Sequence, residues 1–225
     1  MCNAIGCILS RPASLKRLRV PLAVLFGFLL TACGGGGGEG AAPTPTPQAN
    51  VIVLPKTGQT TCFDATGASI LCAGTGQDGE LQTGVAVPIP RFTVGTGVGT
   101  DQCVTDNLTG LMWTRDANLP LGALSWQLSL DYANTLVLCG FDDWRLPNRK
   151  ELRSLINYNL ANNAATLNTL GFSNVQANLY WSSSSSAPVP PIFVAHAWAA
   201  VMRDGDETRG LKTDSHFVWP VRAGQ

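Results

Sequence analysis

A low-complexity segment divides the chain and decides which part of it can fold. Residues 34–50 begin with five consecutive glycines and continue into alternating threonine and proline. Such a composition has almost no apolar side chain to bury, so it predicts a disordered, flexible linker. Folding is therefore confined to residues 51–225, which is the size of one ordinary domain with an extension.

The residues before the linker have the layout of an export signal. Residues 1–32 hold four basic side chains and no acidic one, and residues 21–30 form an apolar run. That run is shorter than the roughly 20 apolar residues that cross a bilayer, and it favours a cleaved signal peptide. It ends in Leu30-Thr31-Ala32-Cys33, which looks like a bacterial lipobox with Cys33 as the lipidated residue. The alternative is a plain signal peptide in which Cys33 is incidental.

Charge and sorting signals suggest where the mature chain resides. Gly34, rather than aspartate, follows Cys33 and resembles the usual sorting signal for the outer membrane. We therefore expect a bacterial outer-membrane lipoprotein that contacts the membrane through its lipid and faces the periplasm or the cell surface. Without residues 1–32, 11 of the 15 basic residues remain beside all 15 acidic ones, a net charge of −4. An acidic balance argues against a nucleic-acid partner, which calls for a basic face.

Four cysteines remain once Cys33 and the signal are set aside: Cys62, Cys72, Cys103 and Cys139. An even number in an exported chain indicates two disulfides, with three connectivities open. Short sequence separation favours Cys62 with Cys72, which leaves Cys103 with Cys139. A zinc site is the rival interpretation, but the chain has no CxxC pair and only two histidines, against the usual ligand spacing.

Local patterns predict two helices and several strands. A helix is predicted over residues 125–138, and a second over residues 149–158, where Asn148 and Glu151 have capping-box spacing. Asn107 and Gly110 predict a hairpin turn between residues 103–106 and 111–114. Further strands are predicted at residues 51–55, 179–182, 197–202 and 216–221, and an Asn-rich connection follows the second helix. Helices followed by antiparallel strands indicate an α+β domain.

Four motifs in order carry a resemblance to a known family. They are VTDNLTGLMW from Val104, GFDDWRLPN from Gly140 with Glu151-Leu152 after it, YWSS from Tyr180, and VWPVR from Val218. Together they resemble the Lcl C-terminal domain family, bacterial exported domains of unknown function. The resemblance covers residues 99–225 and leaves residues 51–98 as a disulfide-containing extension packed on that domain. Its fold signature consists of Asp143, Trp144, Arg145, Leu146, Pro147, Asn148 and Glu151.

The resemblance implies a fold and a class of function. The second and last motifs also resemble C-type lectin-like domains and formylglycine-generating enzymes, which implies a lectin-like fold with two helices and small antiparallel sheets. The family's named member belongs to a collagen-like bacterial adhesin, so the resemblance implies binding to sulfated polysaccharide or to host surfaces. We expect a polysaccharide or an envelope protein as the partner of this chain. This chain lacks the collagen repeat, so trimeric presentation does not carry over.

Catalysis is not expected from this sequence. Formylglycine-generating enzymes use reactive cysteines late in the domain, and no cysteine follows Cys139 here. A hydrolase that uses carboxylates such as Asp142 and Asp204 remains an alternative, as does a purely structural envelope protein. The histidines, His196 and His216, lie on adjacent predicted strands and could meet, but no nucleophile is paired with them by spacing.

Two interpretations stay open for the polar residues of the second motif. Asp143, Arg145 and Asn148 could form a site for an anion at a helix start, with Arg145, Arg149 and Lys150 as ligand-binding residues. Alternatively, Trp144 and Leu146 are buried, Arg145 pairs internally and Asn148 only caps the helix.

The remaining candidates are a cation site and an aromatic surface. No cofactor is expected, although calcium is left open by four carboxylates, since this ion prefers several oxygen ligands; they are Asp204, Asp206, Glu207 and Asp214. The Asp-Gly sequence among them is also ordinary hairpin chemistry. Five aromatic residues could form a platform for sugars or could belong to the core: Trp126, Tyr180, Trp181, Trp198 and Trp219.

Overall fold

The computed structural model describes residues 54–187 and 195–224. Helices and small antiparallel sheets make up this part of the chain, so the predicted α+β class is confirmed. Cys33, the linker and most of the strand predicted at residues 51–55 lie outside the described residues, and Pro55 makes only an isolated bridge to Val85.

A four-stranded antiparallel sheet forms the first half of the domain. Its strands, in spatial order, are β3 (Phe92–Val94), β4 (Cys103–Asp106), β5 (Met112–Thr114) and β9 (Val221–Arg222). The predicted hairpin joins β4 to β5, with Val104 opposite Trp113. Beside it, β9 pairs with β5 and also forms a bridge through Val221 to Arg145. The strand that we predicted over residues 216–221 is thus mostly single bridges that end in β9.

A three-stranded antiparallel sheet forms the second half. It contains β6 (Leu179–Ser185), β7 (His196–Val201) and β8 (Glu207–Leu211) in this order. The first two strands match the predicted ones, whereas β8 lies where the sequence suggested a polar turn and the segment after it. Its pairing with β7 places Arg209 beside Trp198 and Glu207 beside Ala200.

Four helices lie in the described residues: α1 (Asp78–Leu81), α2 (Trp126–Thr135), α3 (Arg149–Ser154) and α4 (Asn163–Thr169). Both predicted helices, α2 and α3, are present but shorter than expected, and Val137, which lies within the first predicted helix, follows the end of α2 and is 71% exposed. The Asn-rich connection contains α4, whose N-cap Asn162 accepts a hydrogen bond from the Ala165 amide at 3.1 Å. No helix in this part of the chain is long and apolar enough to cross a membrane.

Two disulfides confirm the predicted pairing. Cys62 is bonded to Cys72 and Cys103 to Cys139. The first closes a small hairpin of β1 (Cys62–Phe63) and β2 (Ser69–Ile70). The extension reaches the rest of the fold through main-chain contacts, for example from the Tyr158 amide to the Thr57 carbonyl at 3.0 Å.

Two hydrophobic clusters form the core. The larger one contains the fully buried Trp113 and Trp219, with Leu152 from α3 and Leu167 from α4. The smaller one lies under α2 and contains Trp181, Leu146 and Val218. Each cluster draws on strands and helices far apart in sequence, so the long-range sheet pairing is what brings the four motifs together.

Candidate functional site

The second motif serves the fold rather than an anion site. Trp144 and Leu146 are 2% and 1% exposed. The Asn148 side chain accepts from the amides of Lys150 and Glu151, and Glu151 accepts in return from the Asn148 amide, which completes the predicted capping box. These contacts match the alternative in which Asn148 only caps the helix.

The arginine of this motif is held by the same helix start. Arg145 donates to both carboxylate oxygens of Glu151, at 2.8 and 2.7 Å. Burial acts to raise the pKa of Glu151, but the hydrogen bonds from Arg145 and the Asn148 amide outweigh it and lower that pKa. Arg145 is thus paired internally, as the second interpretation of the motif expects.

The aspartate of the motif lies on the other side, against β9. Asp143 accepts two hydrogen bonds from Arg222, at 2.6 and 3.2 Å. Those bonds lower the pKa of the Asp143 carboxyl. The Arg222 guanidinium also lies 3.7 Å above the ring of Phe141. Asp143 and Arg145 therefore each have a partner of opposite charge other than one another, Arg222 and Glu151 respectively.

A basic and aromatic surface forms around Trp198, where α3 meets the second sheet. Arg149 stacks its guanidinium 3.8 Å from the Trp198 ring centroid, and Arg209 lies 5.9 Å from it on the neighbouring strand. Glu207 accepts from Arg149 at 2.8 and 2.7 Å and lies 3.6 Å from Arg153. We call these five residues the Trp198 surface. Two of its guanidinium groups, those of Arg149 and Arg153, share the Glu207 carboxylate.

Lys150 adds a further cation beside this surface. It is exposed on the first turn of α3, next to Arg149. Of the three residues proposed as ligand-binding, Arg149 belongs to the Trp198 surface, Lys150 is its exposed neighbour in the sequence, and Arg145 is held by Glu151. The sequence reasoning missed Arg153 and Arg209, since their place depends on the pairing of β7 with β8.

The five aromatic residues do not form one platform. Tyr180, Trp181 and Trp219 are each 0% exposed, so for these three the sugar-platform interpretation is wrong and the core interpretation is right. Trp126 and Trp198 are partly exposed, and each is covered by a cation, with Lys212 3.8 Å from the Trp126 ring.

The carboxylates considered for calcium are dispersed among other partners. Asp204 accepts from Arg203 at 2.8 Å, Glu207 pairs with Arg149, and Asp214 accepts from the Leu211 amide at 2.9 Å. Within residues 54–187 and 195–224 no group of three or more His, Cys, Asp or Glu residues could hold a metal ion.

The two histidines lie on different segments of the fold. His196 lies on β7 opposite Leu211. His216 packs its ring 4.3 Å from that of Trp181, and its Nε2 atom is buried without a hydrogen-bond partner among the described residues. Burial lowers the pKa of His216, although the Ser215 backbone and the Asp214 charge act in the opposite direction.

This position predicts a pH dependence of stability. The folded state binds a proton at His216 less readily than the unfolded chain, in which the pKa of histidine is about 6.5. We therefore expect the free energy of unfolding to be highest above about pH 6.5 and to decrease as the pH falls below this value. Urea unfolding at about pH 7.5 and about pH 5.5 measures the loss. His216→Phe keeps a ring on Trp181 without the titrating group and should reduce this loss; an unchanged loss in the variant would contradict the assignment.

Comparison with models of known protein families shows which family this chain belongs to. The model of the family described as Lcl C-terminal domain matches residues 102–222, which is more than half of the 225-residue chain. The chain belongs to the Lcl C-terminal domain family. A search of curated proteins gives no match.

The structure shows what the Lcl C-terminal domain motifs do in this chain. The first forms the β4–β5 hairpin, the third begins β6, and the last ends in β9. Each contributes a fully buried tryptophan, namely Trp113, Trp181 and Trp219, and Trp144 of the second motif is 2% exposed. The motifs of this family member therefore build the core, and the Trp198 surface lies outside them.

Proposed function

We propose that this protein is a non-catalytic envelope lipoprotein, anchored through Cys33 in the outer membrane, whose lectin-like domain binds an anionic polysaccharide. The observation that carries the proposal is the Trp198 surface. Membership in the Lcl C-terminal domain family and the adhesin resemblance support the same class of function. The apolar run before Cys33 and the linker after it support presentation of the domain away from a membrane.

The chemistry of the Trp198 surface suits a polyanion. Guanidinium groups bind sulfate, phosphate or carboxylate with two parallel hydrogen bonds. Arg149 and Arg153 share Glu207, so these two guanidinium groups exceed its carboxylate by one charge, and Arg209 adds a third guanidinium beside the same indole ring. The Trp198 ring stacks with the Arg149 guanidinium at 3.8 Å and so positions this group beside Arg209.

Retention of the full-length protein on beads carrying dextran sulfate tests this proposal. The protein is kept in a polyoxyethylene detergent, and bound protein is measured over a series of salt concentrations with and without a chelator. We expect saturable binding that weakens steeply with salt, because the contacts are between charges, and that does not change with the chelator. Arg209→Gln and Lys150→Gln should each weaken it by about three- to tenfold.

Lys56→Gln is the matched control, since Lys56 lies outside the Trp198 surface and lines a groove at the other end of α3. This variant should bind as the unchanged protein does. Absence of binding by a protein with native circular dichroism, or equal losses in all three variants, would reject the Trp198 surface as the site and would favour a protein partner or a structural role.

A further inference from the structure

A groove lies on the outer face of the first sheet, away from the Trp198 surface. It has a volume of about 560 Å³, within the range of about 300–1,000 Å³ found for small-ligand sites. One row of cross-strand neighbours forms its floor: Thr93 on β3 is opposite Thr105 on β4, and Thr105 is opposite Met112 on β5. The opposite face of these strands carries Phe92, Val104 and Trp113, which belong to the core.

Two loops form the sides of this groove. On one side the Cys103–Cys139 disulfide brings Cys139 and Phe141 against the sheet, and Thr100 lies beside them. On the other side stand Asn107 and Gly110 of the β4–β5 turn. One side is held by the covalent disulfide and the other by main-chain hydrogen bonds of the turn. The shape of the groove is therefore set by the backbone and does not depend on the conformation of a few side chains.

The lining residues are polar but include no ionisable group; the next residue of the row, Arg222 on β9, is paired with Asp143 and covers one face of the Phe141 ring. Its polar side chains are hydroxyls and one amide, from Thr93, Thr100, Thr105 and Asn107, and its apolar surface comes from Met112, Phe141 and the disulfide. Asn107 donates to Thr93 at 2.8 Å, whereas no hydrogen bond of the Thr105 hydroxyl to another described side chain or backbone group is found. A ligand matched to this groove is therefore uncharged and carries both hydroxyls and apolar faces.

We propose that this groove is a binding site for a neutral saccharide. Sugar rings present hydroxyl groups at their edge and C–H groups on their face, which the threonine hydroxyls and the Phe141 and Met112 side chains complement. A peptide strand is a poorer match, because β4 and β5, which form most of the floor, are each paired with a neighbouring strand on both sides. The site is separate from the Trp198 surface, and its ligand differs in charge.

Titration with neutral oligosaccharides tests the proposal. Maltotetraose, cellotetraose and chitotetraose serve as probes, and saturation-transfer NMR with the full-length protein in a detergent without a sugar headgroup measures binding. At least one probe should bind, and the binding should persist at high salt. Thr105→Val keeps the shape of the side chain but removes the hydroxyl, and it should weaken binding about five- to tenfold; the Thr93→Val/Thr105→Val double variant should weaken it further.

Thr208→Val is the matched control, an exposed threonine in a strand of the other sheet. It should leave saccharide binding unchanged, and Arg209→Gln should too. Failure of all three probes to bind at millimolar concentration, or equal binding by Thr105→Val and Thr208→Val, would overturn the proposal. Because dextran sulfate binding is measured on different variants, this proposal and the proposed function can fail separately.

Discussion

Replacement of Asp106 by alanine is expected to lower the free energy of unfolding by about 3–5 kcal/mol, because it leaves a buried charge without its partner. The Asp106 side chain is fully buried, and Arg91 is 13% exposed. Arg91 donates to it at 3.3 and 3.1 Å, and the Leu108 amide and Thr109 hydroxyl each donate at 3.0 Å. One carboxylate thus joins β4, its turn and the residue before β3.

Chemical unfolding in urea, followed by tryptophan fluorescence, measures this loss. Asp101→Asn is the control, since Asp101 is exposed and a surface change of this kind costs within about 0.5 kcal/mol. The double variant Arg91→Met/Asp106→Leu removes both charges and should recover part of the stability lost in Asp106→Ala. A loss below about 1 kcal/mol in Asp106→Ala would show that the buried pair does not hold this hairpin.

Trp219→Ala should cost about 3–5 kcal/mol, in the range for a buried aromatic truncated to alanine. The ring is fully buried and lies at centroid distances of 4.9 Å from Phe172, 5.5 Å from Trp113 and 5.6 Å from Tyr180. Its indole nitrogen donates to the Thr114 carbonyl at 2.9 Å. The substitution therefore opens a cavity and removes a hydrogen bond at once.

The same unfolding measurement decides this prediction, with Leu128→Ala as the control. Leu128 lies on α2 and is 56% exposed, so its truncation should cost far less than a buried residue. Trp219→Phe fills part of the cavity, so its loss in free energy of unfolding should lie between those of Trp219→Ala and Leu128→Ala. Similar midpoints for Trp219→Ala and Leu128→Ala would contradict the central place of Trp219 in the core.

Local sequence signals were sufficient for the elements whose chemistry is local. The capping box at Asn148, the turn between Asn107 and Gly110 and the pairing of the cysteines follow from neighbouring residues or short loops. The strand β8 was missed because Glu207–Leu211 has no apolar alternation, and its strand form comes from pairing with β7. The helix α4 is not predicted by the sequence because asparagines are common in loops. In the structure, the Asn162 side chain caps the start of this helix.

The candidate site was less accessible to sequence reasoning than the fold. Arg149 and Lys150 are adjacent to a recognisable helix start, which is why the motif drew attention to them. Arg209 and Trp198 lie beside each other only through the β7–β8 register, which no local pattern encodes. Arg145 and Asp143 looked equally available in the sequence, and only the structure shows that Glu151 and Arg222 hold them.

The closing strand β9 has a consequence for how this chain is made. The contact from Trp219 to Thr114 spans 105 residues, so the β4–β5 hairpin is synthesised long before its partner strand exists. At about 5–20 residues per second, Trp113 is synthesised roughly 5–20 seconds before the side chains of β9 that cover it. During that interval the hairpin presents an unpaired β5 edge, which is prone to pair with other chains. The core can therefore be completed only after residues 219–222, at the end of the fold, have been synthesised.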